Sequence, residues 1–307
     1  MRIVTLTLSA AYDVHCSADK IEAGLENFVT FSERNAGGKG VNISRALHAS
    51  SVASTAIVVL GEENSREFVE GLEKEGLTFE KILIPGRIRE NITVHTADGK
   101  ETRISFGATV VPESLIEEIE RITDGILFEG DILTLTGSIP QGVNIEELKQ
   151  YVKRQKQKGV KVIVDSRSFT FSDIMAMGPF LIKPNEYEVQ EYIGTAIAEE
   201  SEARLAAEEL RTFGVENVMI TLGGRGAALA SSEGSFYVPA PQIEALSTIG
   251  AGDSAIAGFI YALSKGYDTK QSLELSVAFG TAACLKSGTT PPEMSDAMDL
   301  MGSDIFE

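Results

Sequence analysis

The feature that most constrains this 307-residue chain is a regular alternation between two kinds of segment. Short apolar or β-branched runs occupy residues 54–60 (STAIVVL), 131–136 (DILTLT), 160–165 (VKVIVD) and 217–222 (NVMITL). Amphipathic stretches lie between them at 65–75, 112–122, 145–158 and 200–213. Runs of this kind suit strands covered on both faces, and the longer stretches carry helical spacing. In the third stretch Leu148, Val152 and Gln155 share a face, and Gly159 stands where a helix-ending glycine belongs. The order predicts a three-layer α/β fold, with a mostly parallel central sheet and helices on both faces. The opening run, residues 3–8, reads as the first strand and is too short for a signal peptide or a membrane span.

Composition narrows the function. With 43% hydrophobic and 23% charged residues, the chain can bury a full core. Its formal net charge of −18 repels nucleic acid and anionic membranes, so neither is expected as a partner. An anionic ligand needs a local cluster of cations or amide N–H groups. The two cysteines, Cys16 and Cys284, form no motif and read as reduced thiols of a cytoplasmic protein. His15, His48 and His95 show no metal-ligand spacing.

Two segments break the alternation, at 13–34 and 90–106. The second reads as a hairpin: strands at 92–96 and 102–106 joined by the turn Ala97-Asp98-Gly99-Lys100. Such strands either form a small sheet over the mouth of the main one or are a surface hairpin with no functional meaning.

The sharpest motif is 247–254 (STIGAGDS), which opens a helix whose Ile256, Phe259, Ile260 and Leu263 share a face and which Gly266 ends. Small residues at Gly250, Ala251 and Gly252 let a ligand approach the backbone, and the N–H groups of the first turn attract a phosphate. Asp253 is then either a helix cap matching the dipole or a base for a hydroxyl that attacks the phosphorus. The segment formally fits a dinucleotide fingerprint, but it lies near the C-terminus and the next segment, 271–287, is again helical rather than a strand. A Walker loop is absent, because Gly40 follows Gly38-Lys39. A second glycine junction, 36–42 (AGGKGVN), precedes a helical pattern at 43–49. It is either a plain loop or a second ligand contact, and Asn42 has the donors and acceptors that suit sugar hydroxyls.

Gly37-Gly38-Lys39-Gly40-Val41-Asn42 and Thr248-Ile249-Gly250-Ala251-Gly252-Asp253 resemble the two signatures of the ribokinase-like carbohydrate kinases, and within them the phosphofructokinase B group. The resemblance spans essentially the whole chain. Between the signatures stand 136–142 (TGSIPQG), 164–166 (VDS), 183–188 (KPNEYE) and 221–227 (TLGGRGA), in the family's order. It implies one kinase domain over residues 1–307 with a β-lid formed by about 13–34 and 88–107, shared across a homodimer. It implies ATP and Mg²⁺ as cofactors. Asp253 would be the base and Gly250, Ala251 and Gly252 the anion hole. Asp13, Gly37, Gly38, Lys39, Asn42 and Ser138 would hold the sugar. Lys183, Asn185, Thr221, Gly223, Gly226 and Thr248 would line the nucleotide site, and Asn185 and Glu188 would hold magnesium through water.

Arg89, Asn91 and Arg103 match positions where phosphosugar kinases of this group carry basic residues, and two arginines beside one hairpin suit bidentate phosphate contact. The alternative is a pair of solvated charges. The resemblance thus implies ATP-dependent transfer to a ketohexose monophosphate. Fructose 1-phosphate is favoured over tagatose 6-phosphate and fructose 6-phosphate, and a free sugar or nucleoside is the alternative. Three departures touch the sugar side. Ser9-Ala10-Ala11-Tyr12-Asp13 replaces Asn-Pro before the acid, 24–28 (GLENF) lacks a lid cation, and Arg167 stands where the family has a small residue.

Overall fold

The computed structural model describes residues 1–107 and 110–301; residues 108–109 and 302–307 of the expected domain lie outside it. Its strands are β1 (Ile3–Thr7), β2 (Ala11–Ala18), β3 (Thr30–Gly37), β4 (Thr55–Gly61), β5 (Thr78–Ile84), β6 (Arg89–Thr96), β7 (Glu101–Ser105), β8 (Ile132–Thr136), β9 (Lys161–Asp165), β10 (Leu181–Ile182), β11 (Asn217–Thr221), β12 (Ala227–Ser231) and β13 (Gly234–Val238). Its helices are α1 (Lys39–Ala49), α2 (Ser65–Lys74), α3 (Leu115–Asp124), α4 (Ile145–Gln157), α5 (Phe171–Met177), α6 (Glu186–Ile193), α7 (Glu200–Thr212), α8 (Ala251–Lys265), α9 (Thr269–Ala283) and α10 (Met294–Met301).

Nine strands form the main sheet in the order β13-β12-β11-β10-β9-β8-β1-β4-β5. The seven from β11 to β5 are parallel, while β12 and β13 add an antiparallel edge. All five residues of β1 and of β8 are buried, as a strand covered on both faces requires. Alternate residues divide between two cores. Val4, Leu6, Leu133 and Leu135 pack with Leu148, Tyr151 and Val152 of α4 on one face. Ile3 and Ile132 pack with Ile43 and Leu47 of α1 and Ile256 and Ile260 of α8 on the other. The expected three layers are therefore present. Helix ends follow local chemistry: the Asn144 side chain accepts from the Glu146 and Glu147 N–H groups at the start of α4, and Gly266, with φ of 75°, ends α8.

The two segments outside the alternation do form a separate sheet, in the order β3-β2-β6-β7. β6 and β7 are the expected hairpin, paired from Asn91↔Ser105 to His95↔Glu101. β2 and β6 run parallel, with Ala11↔Arg89 and Asp13↔Asn91 in register. Beneath this sheet Tyr12, Val14, Phe68, Leu72 and Leu60 form a third cluster. β2 follows β1 after three residues and β3 leads directly into α1, so the small sheet hangs from the carboxyl end of the central strands.

Candidate active site

In a parallel sheet the carboxyl ends of the strands share one edge, and ligands bind there. Register defines that edge residue by residue. Thr7 of β1 lies opposite Thr136 of β8, which lies opposite Asp165 of β9. Lys183 directly follows β10, and Asn185 bridges to Thr221 of β11. Both glycine junctions open onto this edge.

At the first, Gly38 caps α1, which begins four residues earlier than its apolar pattern indicated. Lys39 is thereby in the first turn, and its Nζ lies 2.7 Å from Asp165 Oδ2. At the second, Gly250 caps α8 with φ of 78°, and Ala251, Gly252 and Asp253 form the first turn. Asp253 is 6% exposed, and its Oδ2 accepts from Asn42 Nδ2 at 2.9 Å. Residues 211 positions apart are thus joined, with the candidate base beside the candidate sugar amide. Burial pushes the Asp253 carboxyl up from an ordinary 3.8 to about 6; Asp165 adds to this, while Lys39, the Asn42 hydrogen bond and Lys183 oppose it. A carboxylate in that range is poised to take a proton near neutral pH.

Asp165, which the sequence placed in a motif but gave no role, organises this centre. Burial alone would raise its carboxyl, yet Lys183 and Lys39 outweigh burial and hold it below the usual carboxylate range. Its Oδ1 is 3.7 Å from Lys183 Nζ. That nitrogen is also 3.2 Å from where a Cβ on Gly252 would stand, so Lys183 lies beside the first turn of α8, the expected anion hole. A side chain at position 252 would fill the space beside it.

The small sheet gathers the second set. Asp13 is buried on β2, and its Oδ1 accepts from Asn91 Nδ2 at 3.0 Å and lies 3.4 Å from an Arg103 guanidinium nitrogen. Gly37 is required where it stands, because a Cβ there would come within 2.2 Å of Asp13 Oδ2. Arg89 is adjacent. Its Nε is buried without a hydrogen-bond partner, and its guanidinium is held below its ordinary value by burial and by Arg103, against Asp13. Two like charges kept close, one with an unpartnered N–H, make a site for an anion. Ser138 is exposed just past β8 and joins none of these hydrogen bonds; its neighbour Gly137 packs on the Lys39 stem.

A cavity of about 510 Å³ opens against the first turns of α8. Its walls include Asn185, Thr221, Gly223, Gly226 and Thr248 together with Ala251 and Gly252, so it unites all the nucleotide-site expectations except Lys183. The Asn185 and Glu188 side chains, expected to hold magnesium through water, form the capping box of α6. Asn185 Oδ1 accepts from the Tyr187 and Glu188 N–H groups, and Glu188 Oε2 accepts from the Asn185 N–H at 2.8 Å. Among the described residues no group of three or more His, Cys, Asp or Glu side chains could hold a metal directly.

Two glycine-capped helix starts, the buried Asp253–Asn42 pair and a cavity of about 510 Å³ meet on one sheet edge, an arrangement that suits a carbohydrate kinase. The chain belongs to the pfkB family of carbohydrate kinases, whose family model matches residues 6–296. The 1-phosphofructokinase of Bacillus subtilis is 31% identical over 281 residues, covering 91% of each chain. That of Escherichia coli K12 is 29% identical over 302 residues, covering 97% of this chain and 96% of the relative. The Escherichia coli phosphofructokinase-2 structure in complex with substrates and products matches with a TM-score of 0.92 and 28% identity, over 98% of both chains.

Proposed function

We propose that this enzyme transfers the γ-phosphoryl group of ATP to fructose 1-phosphate, giving fructose 1,6-bisphosphate. The observation that carries the reading is the pairing of Asp253 with Asn42 at the head of α8, with Arg89 and Arg103 converging on Asp13. The acceptor hydroxyl gives its proton to Asp253 as its oxygen bonds to the γ-phosphorus. The bond from that phosphorus to the β,γ-bridging oxygen breaks and ADP leaves. The amides of residues 250–252 and Lys183 stabilise charge on the transferring group. Asn185 and Glu188 would hold a hydrated Mg²⁺, which neutralises phosphate charge. Arg89 and Arg103 bind the phosphate already on the sugar, and Asp13 and Asn91 bind its hydroxyls.

The chain acts as one kinase domain with the small sheet as its lid, working in the cytoplasm. The lid also forms the homodimer contact: Phe31 on β3 and Ile104 on β7, with Phe28 and Phe106 beside them, are exposed apolar side chains on its two edge strands. The comparison protein from Escherichia coli is known in a tetrameric inhibited form.

The test is ADP release with Mg·ATP against fructose 1-phosphate, fructose 6-phosphate, tagatose 6-phosphate, free fructose, ribose and adenosine. Turnover that is highest on fructose 1-phosphate and absent on the free compounds is expected. Turnover only on a free sugar or nucleoside would overturn the role given to the two arginines and leave the transfer chemistry in place.

A further inference from the structure

Among the described residues the wall of the 510 Å³ cavity carries two charged side chains, Arg167 and Glu186. Glu186 is paired with Arg225, which is itself bonded to the Ala198 carbonyl. Lys183 lies against Gly252 at the inner end, and both it and Lys39 are engaged with Asp165. Arg167, which the sequence set among the departures on the sugar side, instead lines the nucleotide-side cavity because it lies two positions past the end of β9, and it is the one cation on that wall among the described residues. Its Nε donates to Glu188 Oε1 at 3.0 Å, which is its only hydrogen bond among the described residues, and the side chain is 73% exposed. A triphosphate entering this cavity brings several negative charges into a protein of net charge −18, and it needs a cation whose N–H groups are not already committed.

We propose that Arg167 is a nucleotide-phosphate ligand of this enzyme. Glu188 holds the guanidinium at the cavity wall through Nε and leaves its two terminal nitrogens for the β- and γ-phosphates of ATP. The inference rests on the cavity being the ATP site.

The test is calorimetric titration of the full chain with a non-hydrolysable β,γ-imido analogue of ATP and with AMP, both with Mg²⁺ and without sugar. The proteins are wild type, Arg167→Gly and Arg167→Lys. Arg167→Gly weakens the triphosphate roughly 10–100-fold, the usual worth of a charged hydrogen bond, and shifts AMP by less than about threefold. Arg167→Lys recovers part of the loss. Equal losses for both ligands, or none for either, would overturn the proposal. A wild type that binds AMP as tightly as the triphosphate would instead overturn the ATP reading itself. Steady-state kinetics add a check that a purely structural role fails: KM for ATP rises in Arg167→Gly while KM for the phosphosugar stays unchanged.

Discussion

Asp253→Asn separates the two roles a first-turn carboxylate can have, because the structure predicts opposite effects on turnover and on stability. Burial raises the Asp253 carboxyl from 3.8 to about 6. Its folded value lies above its unfolded one, so folding favours the protonated form and the ionised form is penalised. The penalty is absent below pH 3.8, grows between 3.8 and 6, and is complete above 6. A shift of this size amounts to about 3 kcal/mol at pH 8 and about half of that at pH 5. Asparagine has the same shape, keeps an oxygen to accept from Asn42, and carries no charge. Asp253→Asn should then raise the melting temperature at pH 8 by up to about 6 °C, at roughly 2 °C per kcal/mol, and by less at pH 5. Turnover should fall about 10²–10⁴-fold with KM for either substrate little changed. Scanning fluorimetry at the two pH values and the coupled ADP assay supply both readouts. If the variant is stabilised yet turns over within tenfold of wild type, the carboxylate is a helix cap and the assignment of the base is wrong.

Other substitutions probe the remaining parts. Arg89→Ala and Arg103→Ala should each raise KM for the phosphosugar about 10–100-fold, with KM for ATP unchanged, as initial-rate kinetics would show. Loss of ATP affinity instead would move those arginines to the other substrate. Gly226→Ala places a Cβ 2.1 Å from the Val238 carbonyl oxygen at φ of 114°, so soluble yield or urea midpoint should drop by the equivalent of at least about 2 kcal/mol. Unchanged stability would mean that the β12–β13 edge yields easily. Asp165→Asn strips the counter-charge from Lys39 and Lys183 and should destabilise by about 3–5 kcal/mol in equilibrium denaturation. A neutral outcome would show that the two lysines are adequately solvated without it.

The legible parts of the fold were those specified by local pattern. β4, β8, β9 and β11 fall within one residue of their apolar runs, because strands covered on both faces must be continuously apolar. α3 was placed three residues early: Pro112 opens the segment, but the first turn forms only at Leu115. β10 has two residues and no readable period. β12, with the sequence AALAS, has little strand propensity of its own and is held by antiparallel pairing with β11 and β13. The site divides in the same way. The glycine junctions and Asp253 could be read because a helix N-terminus declares itself over a few residues. The contacts Lys39–Asp165, Asn42–Asp253, Arg103–Asp13 and Arg167–Glu188 could not, since each depends on strand register or helix packing that brings distant segments together.

Those long-range contacts also explain how so acidic a chain can handle anions. At the centre two carboxylates, Asp165 and Asp253, face two ammonium groups, Lys39 and Lys183, so the resting site is close to neutral and none of the four is left buried without a counter-charge. The pairing is unequal: Lys39 is bound to Asp165 at 2.7 Å, whereas Lys183 stands off at 3.7 Å and lies against Gly252. An arriving phosphate can therefore draw on Lys183 while Lys39 continues to hold Asp165 in its ionised form. On the proposed reading each substrate end then has its own cation or pair of cations, Arg89 and Arg103 on the small sheet and Arg167 on the cavity wall. On that reading the negative surface stays clear of the chemistry because these cations are gathered locally, on the edge of the main sheet and on the small sheet beside it.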